Sequence, residues 1–331
     1  MNNTLSTLMN LGIYILLVAA GAVIGSRKAV RSRELKWLSK LQFIALMILI
    51  VSLGVNLGAK DEIIASLGEI GIAALVITVA ALAGSVLCLS LLRRFVLKLD
   101  NHGLPLGTVE TPETAETAVD ETPHEKGKAD NSLTKWIVGA VVLGMLAGYF
   151  IIPDSIVAYC GDVINFGLYL ILFLVGIDMG RQGTILGDIK AAGFKVLLVP
   201  LAVIIGTLGA AAIAGLFLPM GVKDAMAAAA GFGWYSLAPT LLAPYSLSVS
   251  AVAFLSNVMR EILSIVLIPV VAHRMGFIEA VALPGAASMD TVLPVVIGST
   301  SERITLYSFT SGVVLSLLVP IIVPFLISLP F

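Results

Sequence analysis

Three polar residues set in the middle of an apolar run are where this chain could do chemistry. The run, Ala251 to Ile268, reads AVAFLSNVMREILSIVLI and holds Asn257, Arg260 and Glu261. It is long enough to cross the hydrocarbon core of a bilayer. A charged side chain at the centre of a spanning helix costs about 2.5–3.5 kcal/mol on insertion scales, so such residues face a bundle interior or an aqueous cavity. Asn257 and Glu261 are four residues apart and share a helix face. Arg260 points about 100° away from Glu261, so the two do not pair directly. A carboxyl group kept from bulk water is a place where a proton and a positively charged ligand compete for one negative charge. Arg260 is expected either to hold the backbone carbonyls of a neighbouring turn or to balance a second acid, Asp290.

On each side of this run lies a shorter apolar stretch broken by small and polar residues. These are GFGWYSLAP, Gly231 to Pro239, and GAASMDTVLP, Gly285 to Pro294. Unwound backbone at membrane depth is tolerated only where protein buries it or where it lines a cavity. Each tip would present the N-terminus of its second arm, whose N–H groups and dipole attract a carboxylate. The plainer reading is that Ser236 and Asp290 cap those arms. Trp234 and Tyr235 either wall a pocket or pack the hairpin, and Gly233 and Ser288 offer backbone and hydroxyl contacts at the tips. Asn56 and Asp178 are polar residues beside glycines near helix ends, open to a structural or a binding role. Proton or substrate coupling is thus expected at Glu261, Asp290 and Asn257, and substrate contact at Gly233, Trp234, Tyr235, Ser236, Ser288, Asn56 and Asp178. No metal-ligand spacing, cofactor motif or catalytic constellation accompanies them. Cys88 and Cys160 fall on different helices and are not expected to pair.

These residues need elements to position them, and composition says which kind. Of 331 residues 58% are hydrophobic and only 12% charged, and the mean hydropathy is +1.03. That excludes a soluble globular chain and predicts a polytopic, all-α membrane protein. The net charge of −1 says little, because the distribution of Lys and Arg decides orientation. Arg27, Lys28, Arg31, Arg33, Lys36 and Lys40 face a single acid, Glu34, in the first loop, which is therefore cytoplasmic. Spans follow over 38–57 and 68–92. From Lys98 to Asn131 come eight acids with Thr and Pro and hardly any large apolar residue, a composition predicting a disordered cytoplasmic linker.

The linker divides two similar segments. An offset of 122 residues carries Gly54 onto Gly176, Asn56 onto Asp178, Gly58 onto Gly180 and Gly71 onto Gly193. Three spans separate corresponding helices, so the copies, 1–97 and 132–218, are expected as an inverted-topology repeat. The last part, 219–331, repeats at an offset of 55, which lays Ser236-Leu-Ala-Pro239 over Thr291-Val-Leu-Pro294. If both broken stretches crossed the membrane, His273 and Arg274 would lie outside, against the charge rule. Two opposed re-entrant hairpins, about 224–245 and 279–299, remove that conflict. The expectation is eight spans, two hairpins and both termini external; ten spans with two broken helices is the rival.

The strings GFGWYSL, FLSNVMREI and LPGAASMDTVLPV, with LILFLVGI from Leu170, resemble the LysO family of bacterial lysine exporters over most of 133–329. The resemblance implies efflux of L-lysine, and of its analogue thialysine, across the bacterial inner membrane by proton antiport. It also implies eight spans with periplasmic termini and an intramembrane acid, matched here by Glu261 in its MRE context. The partners so implied are L-lysine, protons and the lipid bilayer, with a homodimer allowed and no nucleic acid. One alternative is a cation-coupled carboxylate transporter whose hairpin tips bind an anion. Another, of a different class, is an intramembrane aspartyl protease using Asp178 and Asp290, which would need the two carboxylates within about 3 Å. The chain has no GxGD string to support it.

Overall fold

In the computed structural model, residues 2–27, 36–102, 132–182 and 194–329 are described. Among them every regular element is helical. The first half holds α1 (Asn2–Gly25), α2 (Lys36–Gly58), a short α3 (Asp61–Ala65) and α4 (Leu67–Leu92). A π-helical turn, Arg93–Leu97, ends α4 with Lys98 in a left-handed conformation at φ 51°. Then come α5 (Ser132–Phe150), α6 (Asp154–Gln182) and α7 (Leu198–Gly215). Among the described residues six helices are long and apolar enough to cross a membrane, one of them Leu67–Leu97 with a mean hydropathy of 2.6. Gly12–Gly25 and Gly139–Phe150, in α1 and α5, are shorter apolar stretches. Helices that are hydrophobic all round belong in a bilayer, and the protein is a multi-pass integral membrane protein. Most of the acidic segment, 103–131, lies outside the described residues.

Helix pairing follows the 122-residue offset. That offset maps α1, α2 and α4 onto α5, α6 and α7. α1 packs on α6, α2 on α5 and α4 on α7, so the first two pairings are one contact made twice and the third relates a helix to its own counterpart. At that third contact Gly84 faces Gly206, and a side chain on either would run into the other's carbonyl oxygen. Close approach of this kind needs glycine on both helices.

The last part contains α8 (Gly221–Ala229), α9 (Ala238–Leu242), α10 (Leu247–Arg274), α11 (Phe277–Val281), a 3₁₀ turn at Gly285–Met289, α12 (Leu293–Ser299) and α13 (Thr305–Ser328). α8 and α9 are the arms of one broken stretch. Beyond α9 the Tyr245 hydroxyl donates to Asp224 Oδ1 at 2.9 Å, which brings the chain back to where α8 begins. Burial, then the Asp224 carboxylate, pushes the Tyr245 phenol up to about 12. Lys223 lies 5.5 Å from the Tyr245 ring centre and donates to the Leu329 carbonyl at 3.3 Å, so α13 ends at this same edge. Ser246 then caps α10, accepting from the Val249 N–H at 3.4 Å.

α10 has 28 residues and is about 42 Å long. Its far end leads to α11, where Glu279 and Arg93 form a buried ion pair at 2.6 Å. Arg93 also donates to the Leu99 carbonyl at 2.9 Å. The Phe277 N–H donates to the Asn101 carbonyl at 2.8 Å, and the His102 ring stands edge-on to Phe277 at 4.9 Å. The end of α4 and the residues after it are thereby fastened to the start of the second broken stretch. Cys88 and Cys160 are both free thiols.

Candidate functional site

The two helix breaks cross each other. Phe232 has φ 48°, Gly233 φ 95° and Gly285 φ 62°, all in the left-handed region. For Phe232 that conformation costs roughly 1–2 kcal/mol; its side chain is fully buried. The Phe232 carbonyl accepts from the Ala286 N–H at 2.8 Å. A Cβ on Gly285 would strike that same carbonyl, and one on Gly233 would lie 2.8 Å from the Pro284 oxygen. Backbone thus touches backbone at the crossing, and each glycine is required by both its φ and its neighbour.

α10 runs beside the crossing and serves it with three side chains. Asn257 bridges the first break: its Oδ1 accepts from the Gly233 N–H at 2.7 Å, while Nδ2 donates to the Ala228 carbonyl at 3.1 Å and to Ala253 at 2.7 Å. Arg260 holds the second break. Its Nε donates to the Leu283 carbonyl at 3.0 Å, Nη2 to Ala282 at 3.1 Å and Nη1 to Thr207 Oγ1 at 3.1 Å. Of the two arrangements expected for Arg260, the carbonyl one is present, and it forms no ion pair with Asp290 among the described residues. The Ser85 hydroxyl, whose nearer acceptor is the Leu82 carbonyl at 2.9 Å, also lies 3.4 Å from the Ala282 carbonyl, so α4 and α7 each bring a hydroxyl to this point.

Glu261 faces the other way. Its Oε1 accepts from Thr291 Oγ1 at 3.2 Å, and Tyr235 and Asp290 lie within interacting range of its carboxyl group. Its Oε2 is buried and has no hydrogen-bond partner among the described residues. Asp290 is exposed, with Oδ1 accepting from the Thr291 N–H at 2.6 Å. Two carboxyl groups, a phenol and a hydroxyl therefore converge halfway along a membrane-length helix. Such a cluster can hold protons or an ammonium group, since every partner it lacks is a donor.

The remaining expected residues are distributed around this cluster. Tyr235 packs with Ile50, Val141, Phe254 and Val258, while Trp234 lies against the main core. Ser236 is half-buried beside Tyr235. Ser288 and Ser308 exchange hydrogen bonds with each other's carbonyls at 2.8 and 2.7 Å, a contact that fastens the second break to α13. Asn56 is half-buried on α2. Asp178 is placed on α6 by its backbone, and its side chain lies outside what is described. Neither Ser236 nor Asp290 caps a second arm: Leu237 and Val292 occupy those positions without side-chain bonds. The arms have five and seven residues with Pro239 and Pro294 in their first turns, which leaves little dipole and removes a donor from each. No group of three His, Cys, Asp or Glu side chains suited to a metal occurs among the described residues.

Sequence reasoning passed over Thr291, Thr207 and Ser85. The signal was there in the repeats: Thr291 is the 55-residue counterpart of Ser236, and Ser85 and Thr207 are counterparts at 122. The Arg93–Glu279 pair left no signal at all in spacing.

Known proteins point the same way as the residues. A family model described as "Lysine exporter LysO" matches residues 6–105 and 138–327. The Escherichia coli (strain K12) protein named lysine exporter LysO is 32% identical over 190 residues, 57% of this chain and 62% of that protein. The match thus spans about three-fifths of that relative's length. A Haemophilus influenzae protein, provisionally named as a lysine exporter, is 28% identical over 202 residues, 59% of this chain and 98% of its own. No solved structure shows a significant match. With nearly all of its membrane segments inside the matched residues, the chain belongs to the lysine exporter LysO family.

Proposed function

We propose that this protein is a secondary active transporter that exports L-lysine, and analogues such as thialysine, across the bacterial inner membrane in exchange for protons. The observation that carries the reading is the buried Oε2 of Glu261, without a hydrogen-bond partner among the described residues, beside Asp290 and between the two broken stretches. The names of the relatives supply the substrate class. A buried carboxylate with an unfilled acceptor is costly until a proton or an ammonium reaches it. Either cation neutralises the site and allows it to change sides, while the bare charge resists the move. Exchange follows from that exclusion: outward passage of lysine is coupled to inward passage of a proton. Asp290, exposed next to Glu261, is the acid a substrate meets first, and Tyr235 and Ser236 line its path. Asn257 and Arg260 serve by holding the two breaks in place.

The frame for this cycle is eight spans with two opposed re-entrant hairpins, 224–245 and 279–299, both termini external, and copies 1–97 and 132–218 inverted about the Gly84–Gly206 contact. The hairpins move as a bundle against α1, α2, α5 and α6. The test is exchange in proteoliposomes: an imposed proton gradient should drive labelled lysine against its concentration, with unlabelled lysine competing and citrate-like acids not. Glu261→Gln should abolish the exchange. Wild-type rates in that variant would remove Glu261 as the coupling group.

A further inference from the structure

We infer that Thr291 is a positioning residue for this site, and that its hydroxyl aims the Glu261 carboxylate so that Oε2 is the atom offered to a cationic ligand. The inference rests on the transport reading above and adds the group that makes Glu261 directional.

Thr291 Oγ1 lies 3.2 Å from Glu261 Oε1 and 3.3 Å from Asp290 Oδ1. A hydroxyl has one hydrogen to give, so it serves one of the two acids at a time. Asp290 Oδ1 already receives the Thr291 backbone N–H at 2.6 Å, the shorter contact by far. Asp290 Oδ1 can accept a second bond but already has a donor, so the hydroxyl proton does more at Glu261 Oε1, the closer of the two acceptors. Glutamate has three rotatable side-chain bonds, and Thr291, with Tyr235 beside it, supplies the hydroxyl that fixes which oxygen is held. With Oε1 held, Oε2 is left buried and unpartnered among the described residues, the one acceptor of the pair that a ligand N–H⁺ can complete.

Position in the chain gives the contact its use. Thr291 stands between the 3₁₀ turn and α12, on the arm of the second broken stretch, whereas Glu261 is on α10. Any shift of that arm relative to α10 changes the aim of the carboxylate, which ties the geometry of the hairpin to the affinity of the site. The threonine methyl is not required for this; the hydroxyl is.

The experiment compares Thr291→Val, which keeps the shape and loses the hydroxyl, with Thr291→Ser, which keeps the hydroxyl. Both are purified whole, checked for yield and melting temperature, and assayed for lysine exchange in proteoliposomes. T291V should raise the KM for lysine about tenfold, the worth of one hydrogen bond to a charged group, with the loss falling on KM more than on the maximal rate. T291S should recover most of that affinity. If T291V keeps the wild-type KM, or if T291S is as impaired as T291V, the hydroxyl has no positioning role. A wild-type protein that moves no lysine would sink the transport reading itself, and this inference with it; normal wild-type exchange with an indifferent T291V sinks this inference alone.

Discussion

Asn257, Arg260 and Glu261 lie within little more than one turn of α10, yet each serves a different neighbour, because successive residues are turned by about 100°. Asn257 uses every hydrogen-bonding group of its amide on backbone: one N–H accepted, two carbonyls satisfied. Replacing it by Ala strands the Gly233 N–H and the Ala228 carbonyl in a buried place, at about 1–3 kcal/mol for each group left unsatisfied. Asn257→Ala should therefore lower the melting temperature of the detergent-purified protein and reduce exchange together; a variant as stable as wild type would show that water replaces the amide. This polar triad was legible in sequence because charged and amide groups are out of place in hydrocarbon. The hydroxyls were not. Serine and threonine are common in spanning helices, where most bond their own preceding turn, as Thr78 does to Ala74 at 2.7 Å. Residue type alone does not separate such a hydroxyl from one that also reaches across, as Thr78 does to the Ser256 carbonyl at 3.0 Å; for Thr291, Ser85 and Thr207 the repeat offsets were the one signal.

At the scale of the element, the two broken stretches are defined by what interrupts them. The sequence marks the interruptions through glycine, proline and small residues, and the long helices through unbroken apolar runs. Where the breaks meet was not legible, because the Phe232–Ala286 hydrogen bond joins residues far apart in the chain and leaves no periodicity. Its consequence is a sharp demand on Gly285. An alanine there would adopt φ 62° at roughly 1–2 kcal/mol and would also place its Cβ against the Phe232 carbonyl oxygen. Gly285→Ala should therefore destabilise by more than the conformational cost alone and separate the two stretches. Gly298→Ala, on the same broken stretch, is the control: nothing lies within 4 Å of a Cβ there, and it falls inside α12, where alanine favours the helix. Thermal unfolding of both variants decides the matter. Equal melting temperatures would mean that the crossing is not a tight contact.

At the scale of the whole molecule, the helix contacts are those a two-fold repeat would make. α4 and α7 meet at Gly84 and Gly206, and one step further along each helix Ser85 and Thr207 reach the Ala282–Arg260 junction. If 1–97 and 132–218 are inverted copies, as proposed, their axis passes close to the second break, and the two copies would hold one site between them. The same geometry separates two edges. Asp224, Tyr245 and Leu329 gather at the start of α10; Arg93, Asn101, Phe277 and Glu279 gather at its end, about 42 Å away. A bilayer's hydrocarbon core is about 30 Å thick, so α10 is long enough to bring the two edges to opposite aqueous phases. In the proposed topology the basic first loop and the charges at Arg93, Arg94, His273 and Arg274 put the second edge in the cytoplasm. Single cysteines in a background lacking Cys88 and Cys160 test this directly. Lys60→Cys and Ser248→Cys, at exposed positions, should react with a membrane-impermeant maleimide on intact spheroplasts, whereas His102→Cys and Arg274→Cys should react only after permeabilisation. Ten full spans instead of eight would turn the residues after the first broken stretch to the other side. Ser248→Cys would then be shielded and Arg274→Cys open, an inversion that would undo the opposed-hairpin topology and, with it, the passage proposed between the two breaks.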